Sequence, residues 1–264
     1  MSALQSLLHV WKTVIVYLLV ASAILILFAW WFGWVGAIAV FLLEAFLHVS
    51  WWIELKSKLL KNLPTEFRCS PTHPEEYPQL DLGLLIQYTE GVRSLNFVHI
   101  IDYKLDTVNG LSRLFSHSQH YCFADIFQVY SRANIKQMPM VCTIHSAMEQ
   151  GWSLSTTNLK PNGLSHTWRN PKSLWSYHPS ATPDKLLQAH RERRQQIQEN
   201  LKVSIVTDLS WEFYFTQQER NAIKRREIFE RKNIFIALIE ATLFEMNPLS
   251  EWMGEYQRAI RKRH

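Results

Sequence analysis

Glycine and cysteine are scarce in this chain, and their scarcity excludes several chemistries. Of 264 residues only 8 are Gly, and no two of them form G-x-G. A dinucleotide-binding turn and a phosphate-binding loop both need closely spaced glycines, because backbone N–H groups must reach the phosphate with no Cβ in the way. Neither can be built here. The G-x-S-x-G elbow, the H-E-x-x-H pair, the EF-hand loop and the kinase signatures are also missing. Cys69, Cys122 and Cys142 are odd in number and contain no C-x-x-C, so there is no disulfide framework. No N-x-[S/T] acceptor occurs, in keeping with a domain that never enters a glycosylating compartment.

Charge is missing where it matters most. Between Lys12 and Glu44 run 31 residues without a charged side chain, whereas about 20 apolar residues are enough to cross a bilayer. A cleavable signal peptide has an apolar core of about 7–15 residues and a small-residue cleavage site; this run instead continues into Trp30, Trp31, Phe32 and Trp34. One straight helix of that length would extend about 46 Å, too long for an upright crossing. Gly33-Trp34-Val35-Gly36 offers a break among tryptophans, the residue type enriched at membrane–water boundaries. The expectation is a helical hairpin within residues 1–62, with helices at about 13–32 and 37–55 and with Trp51 and Trp52 at the returning boundary.

Lys12 precedes this hairpin, Lys56, Lys58 and Lys61 follow it, and the break carries no Lys or Arg. The positive-inside rule then places both ends, and everything after residue 62, in the cytoplasm of a multi-pass protein. The alternative, one tilted crossing, leaves the C-terminal side cytoplasmic as well. Inside the second helix, Glu44 and His48 are spaced i, i+4 and share a face. An ionisable pair within a membrane is a functional hypothesis by default; the plainer reading is a paired group near the lysine-rich boundary.

Pro64, Pro71, Pro74 and Pro78 mark 63–79 as a linker without regular structure, leaving 80–264 as the cytoplasmic domain. Leu95, Phe97, His99, Ile101 and Tyr103 alternate at period two, Asp106–Gly110 supplies a turn, and Tyr121, Phe123, Asp125, Phe127 and Val129 alternate again. Met140–Ser146 and Trp152–Thr157 form a hairpin across Glu149–Gly151. These short sequential strands predict an antiparallel sheet. After Pro179 the pattern is helical. Thr182-Pro183-Asp184 opens a helix to about Asn200, and Val203–Asp208 reads as a short strand. Thr216-Gln-Gln-Glu219 reads as a capping box opening a helix that runs to Met246, before Asn247-Pro248. Ile234–Phe244 is strongly apolar but holds Glu240 and is too short to span, so it reads as core. The predicted fold is a membrane α-helical hairpin followed by a cytoplasmic α+β domain, an antiparallel sheet and then helices.

The net charge of +5 is unevenly placed: residues 65–179 carry 9 basic and 9 acidic side chains, while 180–264 carry 15 and 12. The basic tail, Arg258 to His264, can touch anionic lipid at about 1 kcal/mol per basic residue near the surface. Nucleic acid is not an expected partner, because Lys and Arg alternate with Glu, as in Arg225–Arg231, the pattern of a solvated helix face.

The densest group of ligand-type side chains is His117-x-x-His120-x-Cys122, followed twenty residues later by Cys142-x-x-His145. Imidazole and thiolate suit a zinc tetrahedron. On strands, however, His120 and Cys122 would point one way while Cys142 and His145 point apart, and the spacing is that of no finger or ribbon. The alternative is that the thiols act as small hydrophobes and the imidazoles close hydrogen bonds. Cys142 and His145 could serve as nucleophile and base only within about 3 Å of each other. His166, His178 and His190 lie near Trp168, Trp175 and Tyr177, as pocket lining or as cover for the sheet; His190 shares a helical stripe with Leu186 and Ile197. No catalytic residue, metal or cofactor is assigned. The expected protein sits in the lipid bilayer and acts through its cytoplasmic domain, by binding a protein or small molecule in assembly, regulation or sensing, with Trp152, Trp168 and Trp175 suited to contact. The alternatives are a membrane-associated His/Cys enzyme, with or without zinc, and a function inside the bilayer through Glu44 and His48.

Overall fold

The structure, a computed structural model, describes residues 3–63, 68–105, 108–130 and 139–262. Two long apolar helices come first, then an eight-stranded mixed sheet with further helices, an α+β arrangement. The chain divides into two compact units. One comprises Met1–Leu63, Asn162–Trp168 and Arg226–Pro248; the other comprises Pro64–Pro161, Arg169–Arg225 and Leu249–His264.

In the first unit, α1 (Ala3–Asn62) is helical except at Gly33, whose φ of 64° and ψ of −164° only glycine adopts readily. That residue alone breaks the helix. Its two arms, Ile15–Gly36 and Ile38–Lys61, are each long and apolar enough to cross a membrane. They fold back on each other, since Tyr17 on the first packs edge-on against His48 on the second. The second arm outruns the expected end near Leu55, so Lys56, Lys58 and Lys61 are helical. Around its end pack α3 (Gly163–Thr167), the last turns of α5 (Trp211–Arg231) and α6 (Ile234–Met246). Phe229, Ile234 and Ala237 are buried against Trp52, Leu55, Leu59 and Trp168, and Leu238 and Ala241 against Trp52, Leu55 and Leu164. Helix ends are tied reciprocally. Lys56 Nζ donates to the carbonyls of Glu230 (2.7 Å) and Lys232 (3.0 Å), closing α5, while Arg226 Nη1 donates to those of Leu60 (2.9 Å) and Leu63 (3.0 Å), closing α1.

The second unit is built on β1 (Cys69–Pro71), β2 (Val98–Leu105), β3 (Val108–His117), β4 (Cys122–Val129), β5 (Val141–Ala147), β6 (Ser153–Thr157), β7 (Ser173–Tyr177) and β8 (Glu251–Trp252), which neighbour one another in chain order. The sheet is not the antiparallel one expected. β6 and β7 run parallel, every other pair antiparallel, because the intervening segment crosses back through α3 instead of turning tightly. Leu85, Leu186, Phe115, Ala124, Ile126, Cys142 and Ile144 form the core beneath α2 (Leu82–Ser94) and α4 (Pro183–Leu201). Leu154, Leu174, Ile197, Leu201 and Tyr256 extend it towards α7 (Tyr256–Arg261). Tyr103, Leu114, Phe123, Tyr214 and Phe215 form a separate cluster on α5.

Several local expectations change. Pro64–Phe67 of the linker lie outside the described residues, but Cys69–Pro71 pair with β2, since Pro71 ends an edge strand where its missing N–H costs nothing. Leu95 to Tyr103 do not share one face. A bulge between His99 and Ile101 sets His99 opposite Phe115 but Ile101 opposite Leu114, so Phe97 and Tyr103 join different cores. Asp106 and Thr107 of the predicted turn lie outside the described residues, and Val108–Gly110 belong to β3. The 203–208 stretch makes a single bridge, Ile205 to Met148, where a strand was expected. Thr216-Gln-Gln-Glu219 caps nothing: α5 begins a turn and a half earlier, behind Ser210, whose hydroxyl accepts from the Phe213 N–H. Nor does α5 continue to Met246, because Asn233 breaks it and caps α6, accepting from the Phe235 N–H at 2.9 Å. Finally, α6 is core on one side only; Phe235, Ile236, Leu243 and Met246 are exposed. The β5–β6 hairpin and the extent of α4 follow the predicted pattern.

Candidate functional site

The sequence-predicted ligands disperse. His117 ends β3 and His120 follows in a tight turn whose Tyr121 has φ 47°, so His120 and Cys122 do not share a strand. The structure does bring the two imidazoles together, with ring centroids 4.3 Å apart and the His120 N–H donating to His117 Nδ1 at 3.3 Å. Burial lowers the pKa of both. Cys122 lies across the ladder from His117 and Cys142 across from Ile126. Both thiols are buried and pushed up to about 12 by desolvation, which suppresses the thiolate that metal binding and nucleophilic attack require. His145 sits on the opposite sheet face from Cys142, which rules out their contact as nucleophile and base. Among the described residues, no group of three or more His, Cys, Asp or Glu side chains is placed to hold a metal ion.

Two buried polar clusters stand out instead, one on each face of the central strands. On the α5 side, Asp125 Oδ2 accepts from Tyr103 Oη at 2.8 Å and from Tyr214 Oη at 3.2 Å. Its Oδ1 has no hydrogen-bond partner among the described residues. Burial pushes this carboxyl up to about 6, although both phenols pull it down. His145, with its ring centroid 6.2 Å from that of Tyr214, bonds through Nδ1 to Ser155 Oγ at 2.9 Å and is driven down to about 4 by burial. The Phe123, Asp125, Phe127 alternation held the signal: a carboxylate in an otherwise apolar alternating row must be buried. The matching tyrosines, from β2 and α5, could not be read locally.

On the α4 side, His190 is fully buried between Leu186 and Ile197, as its stripe predicted. Its Nε2 lies 2.8 Å from Ser146 Oγ and its Nδ1 3.0 Å from Thr156 Oγ1. Ser176 Oγ donates to Thr156 Oγ1, and Arg194 Nη1 donates to Ser146 Oγ and to the His120 carbonyl. Burial, followed by the charge of Arg194, holds the imidazole neutral. Trp152 is buried, and Arg169 lies over the Trp175 ring at 4.4 Å. Trp168 packs on Phe229. Trp152 is thus a packing residue, while Trp168 and Trp175 stay half-buried.

In the hairpin, His48 does not bond the Glu44 carboxylate. Its Nδ1–H donates to the Glu44 backbone carbonyl at 2.9 Å. A cavity of about 190 Å³ lies beside it, lined by Thr13, Tyr17, Leu47, His48, Trp51 and Trp52.

Compared with protein-family models, with curated proteins and with solved structures, the chain matches none.

Proposed function

We propose that this chain is a two-helix integral membrane protein, with both ends and the sheet unit on the cytoplasmic side, that works by binding, in assembly or sensing, and not by catalysis. The observation that carries the anchor is a bare apolar surface. In the two spanning-length arms of 22 and 24 residues, only 6% and 0% of the most apolar 18 residues are buried within the protein. Side chains such as Leu19, Ile26, Phe41 and Phe46 point outward, and hydrocarbon is the solvent that accepts them. Lysines only at the open end of the hairpin support the orientation. The buried polar groups support binding over catalysis: burial pushes the Cys122 and Cys142 thiols up to about 12, and Asp125, His145 and His190 are buried within the sheet unit.

Topology is tested in a Cys69→Ser background by adding Trp34→Cys or Lys58→Cys and labelling intact cells with an impermeant maleimide. Labelling at 34 alone is expected; labelling at 58 alone reverses the orientation. Gentle purification of the whole protein followed by native mass spectrometry tests the mode of action. A stoichiometric protein partner supports binding, whereas turnover of a co-purifying small molecule overturns it.

The hairpin cavity favours a second reading, in which function resides inside the bilayer beside Glu44 and His48. Glu44→Gln would then abolish partner retention and leave the near-UV circular dichroism of the sheet unit unchanged.

A further inference from the structure

We infer that α6 is itself a lipid-contacting element, lying at the boundary of the same leaflet that the second hairpin arm enters; the inference rests on the membrane-anchored reading above. At 13 residues α6 is too short to cross, yet apart from Glu240, Thr242 and Glu245 it is apolar, a composition found where a helix is largely covered. The protein covers only one side: Ile234, Ala237, Leu238 and Ala241 are buried against Trp52, Leu55 and neighbouring side chains of the first unit. The other side presents Phe235 at 45%, Ile236 at 51%, Leu243 at 61% and Met246 at 70% exposure.

No charge interrupts that outward row. Glu240 is paired to Lys232, and the Glu245 carboxylate accepts the Gly163 N–H. The Thr242 hydroxyl donates back to the Leu238 carbonyl at 2.8 Å. The polar groups of α6 are therefore paired within the first unit, with Glu240 half-exposed beside the apolar row. Depth comes from its neighbours. Phe235 packs edge-on against Trp52, with centroids 5.8 Å apart, directly before Lys56 and Lys58 on the same arm. Tryptophan followed by lysine is the side-chain order of a membrane–water boundary. The row starts at Phe235 against Trp52, on the arm whose Phe46, Val49 and Ile53 are also exposed, so the occupant that fits it is the acyl-chain and headgroup zone of the bilayer, not a separate protein.

The test is nitroxide accessibility in the full-length protein reconstituted into phosphatidylcholine–phosphatidylglycerol nanodiscs. In the Cys69→Ser background, single labels are introduced through Leu243→Cys or Met246→Cys, with Leu42→Cys as the mid-hairpin reference and Lys185→Cys on α4 as the aqueous one. Collision with oxygen should exceed collision with a water-soluble nickel chelate severalfold at 243 and 246, as at 42, and the ratio should invert at 185. If 243 and 246 behave like 185 while 42 stays lipid-exposed, α6 faces water and the inference fails with the anchor intact. Shielding of 243 and 246 from both reagents would mean that protein covers α6, which also overturns it. A water-exposed label at 42 would instead overturn the anchor reading itself. Two label sites keep the test readable if one substitution impairs folding.

Discussion

The Tyr17 ring meets the His48 imidazole edge to face, with centroids 4.8 Å apart, although 30 residues lie between them in the chain. Gly33 lies almost midway between the two. Any residue with a Cβ at φ 64° and ψ −164° is strained, and an added Cβ there would meet nothing within 4 Å, so the penalty is purely conformational. Gly33→Ala should therefore destabilise the closed hairpin by about 1–3 kcal/mol, measured as an earlier unfolding transition of the detergent-solubilised protein in SDS titrations. Gly83→Ala, in the first turn of α2 where a Cβ makes only ordinary contact, should be neutral or stabilising by up to about 1 kcal/mol.

Asp102 and Arg113 form a two-pronged pair across β2 and β3, Nε to Oδ1 and Nη2 to Oδ2, both at 2.7 Å. His99 reaches the same Oδ1 at 2.9 Å, and Arg113 Nη1 donates to Thr89 Oγ1 on α2. Burial raises the carboxyl's pKa, but the hydrogen bonds from Arg113 and His99 outweigh it and hold the group below its ordinary value. Its ionised form therefore stabilises the fold above the unfolded pKa, and that contribution is lost as acid protonates it below about pH 4. Arg113→Met should cost about 2–4 kcal/mol at pH 7, because it leaves a half-buried carboxylate without its partner. The double variant with Asp102→Asn should be less destabilised than the sum of the two single changes, as urea unfolding of the whole protein would measure.

Asp125 and His145 lie on one sheet face and oppose each other in their response to pH. Asp125 is raised from 3.8 to about 6, so the stability it contributes is present below pH 4 and lost as pH rises through 6. His145 is lowered from 6.5 to about 4, so its neutral form is favourable above 6.5 and stability falls on acidification towards 4; His190 acts in the same sense. Asp125→Asn keeps an acceptor for the two tyrosines and should steepen the loss of stability between pH 6 and 4. His145→Gln should flatten it. Urea midpoints across that range check the signs; identical slopes in both variants would contradict the assignment.

Much of the backbone was legible because it depends on periodicity. The hairpin needed only a charge-free run with a glycine break, and the start of α4 only Thr-Pro-Asp. What escaped depends on partners distant in sequence. The bulge beside Ile100 swaps the faces of β2 without a glycine or proline to announce it, so an alternating row was assigned to one core when it serves two. Likewise, Asn233 halts a helix that propensity alone would have continued. Side-chain chemistry was the least legible part. The His and Cys residues that looked like one cluster are parted by a turn and a sheet, while the tyrosines that hold Asp125 come from β2 and α5, 22 residues before it and 89 after it. The exposed side of α6 looked like core in sequence, because an apolar residue left at the surface and one buried against protein are spelled alike.

The His190 cluster tests whether buried polarity here is structural. Its imidazole joins two hydroxyls that have no access to water, those of Ser146 and Thr156, and all three residues are fully buried. His190→Leu fills a similar volume but removes one partner from each hydroxyl, Ser146 keeping Arg194 Nη1 and Thr156 keeping Ser176 Oγ, at a cost of about 1 kcal/mol for each group. The single change should therefore lower stability by about 2 kcal/mol. If the cluster serves only the fold, adding Ser146→Ala and Thr156→Val should recover part of that loss, because the two hydroxyls left short of a partner are gone, although Ser176 Oγ then loses its acceptor. Arg194 would still hold the His120 carbonyl in the triple variant, so the turn after β3 stays anchored. Partner retention unchanged in that variant would place the binding surface elsewhere on the protein; loss of retention in a protein that still folds would make these hydroxyls part of the function.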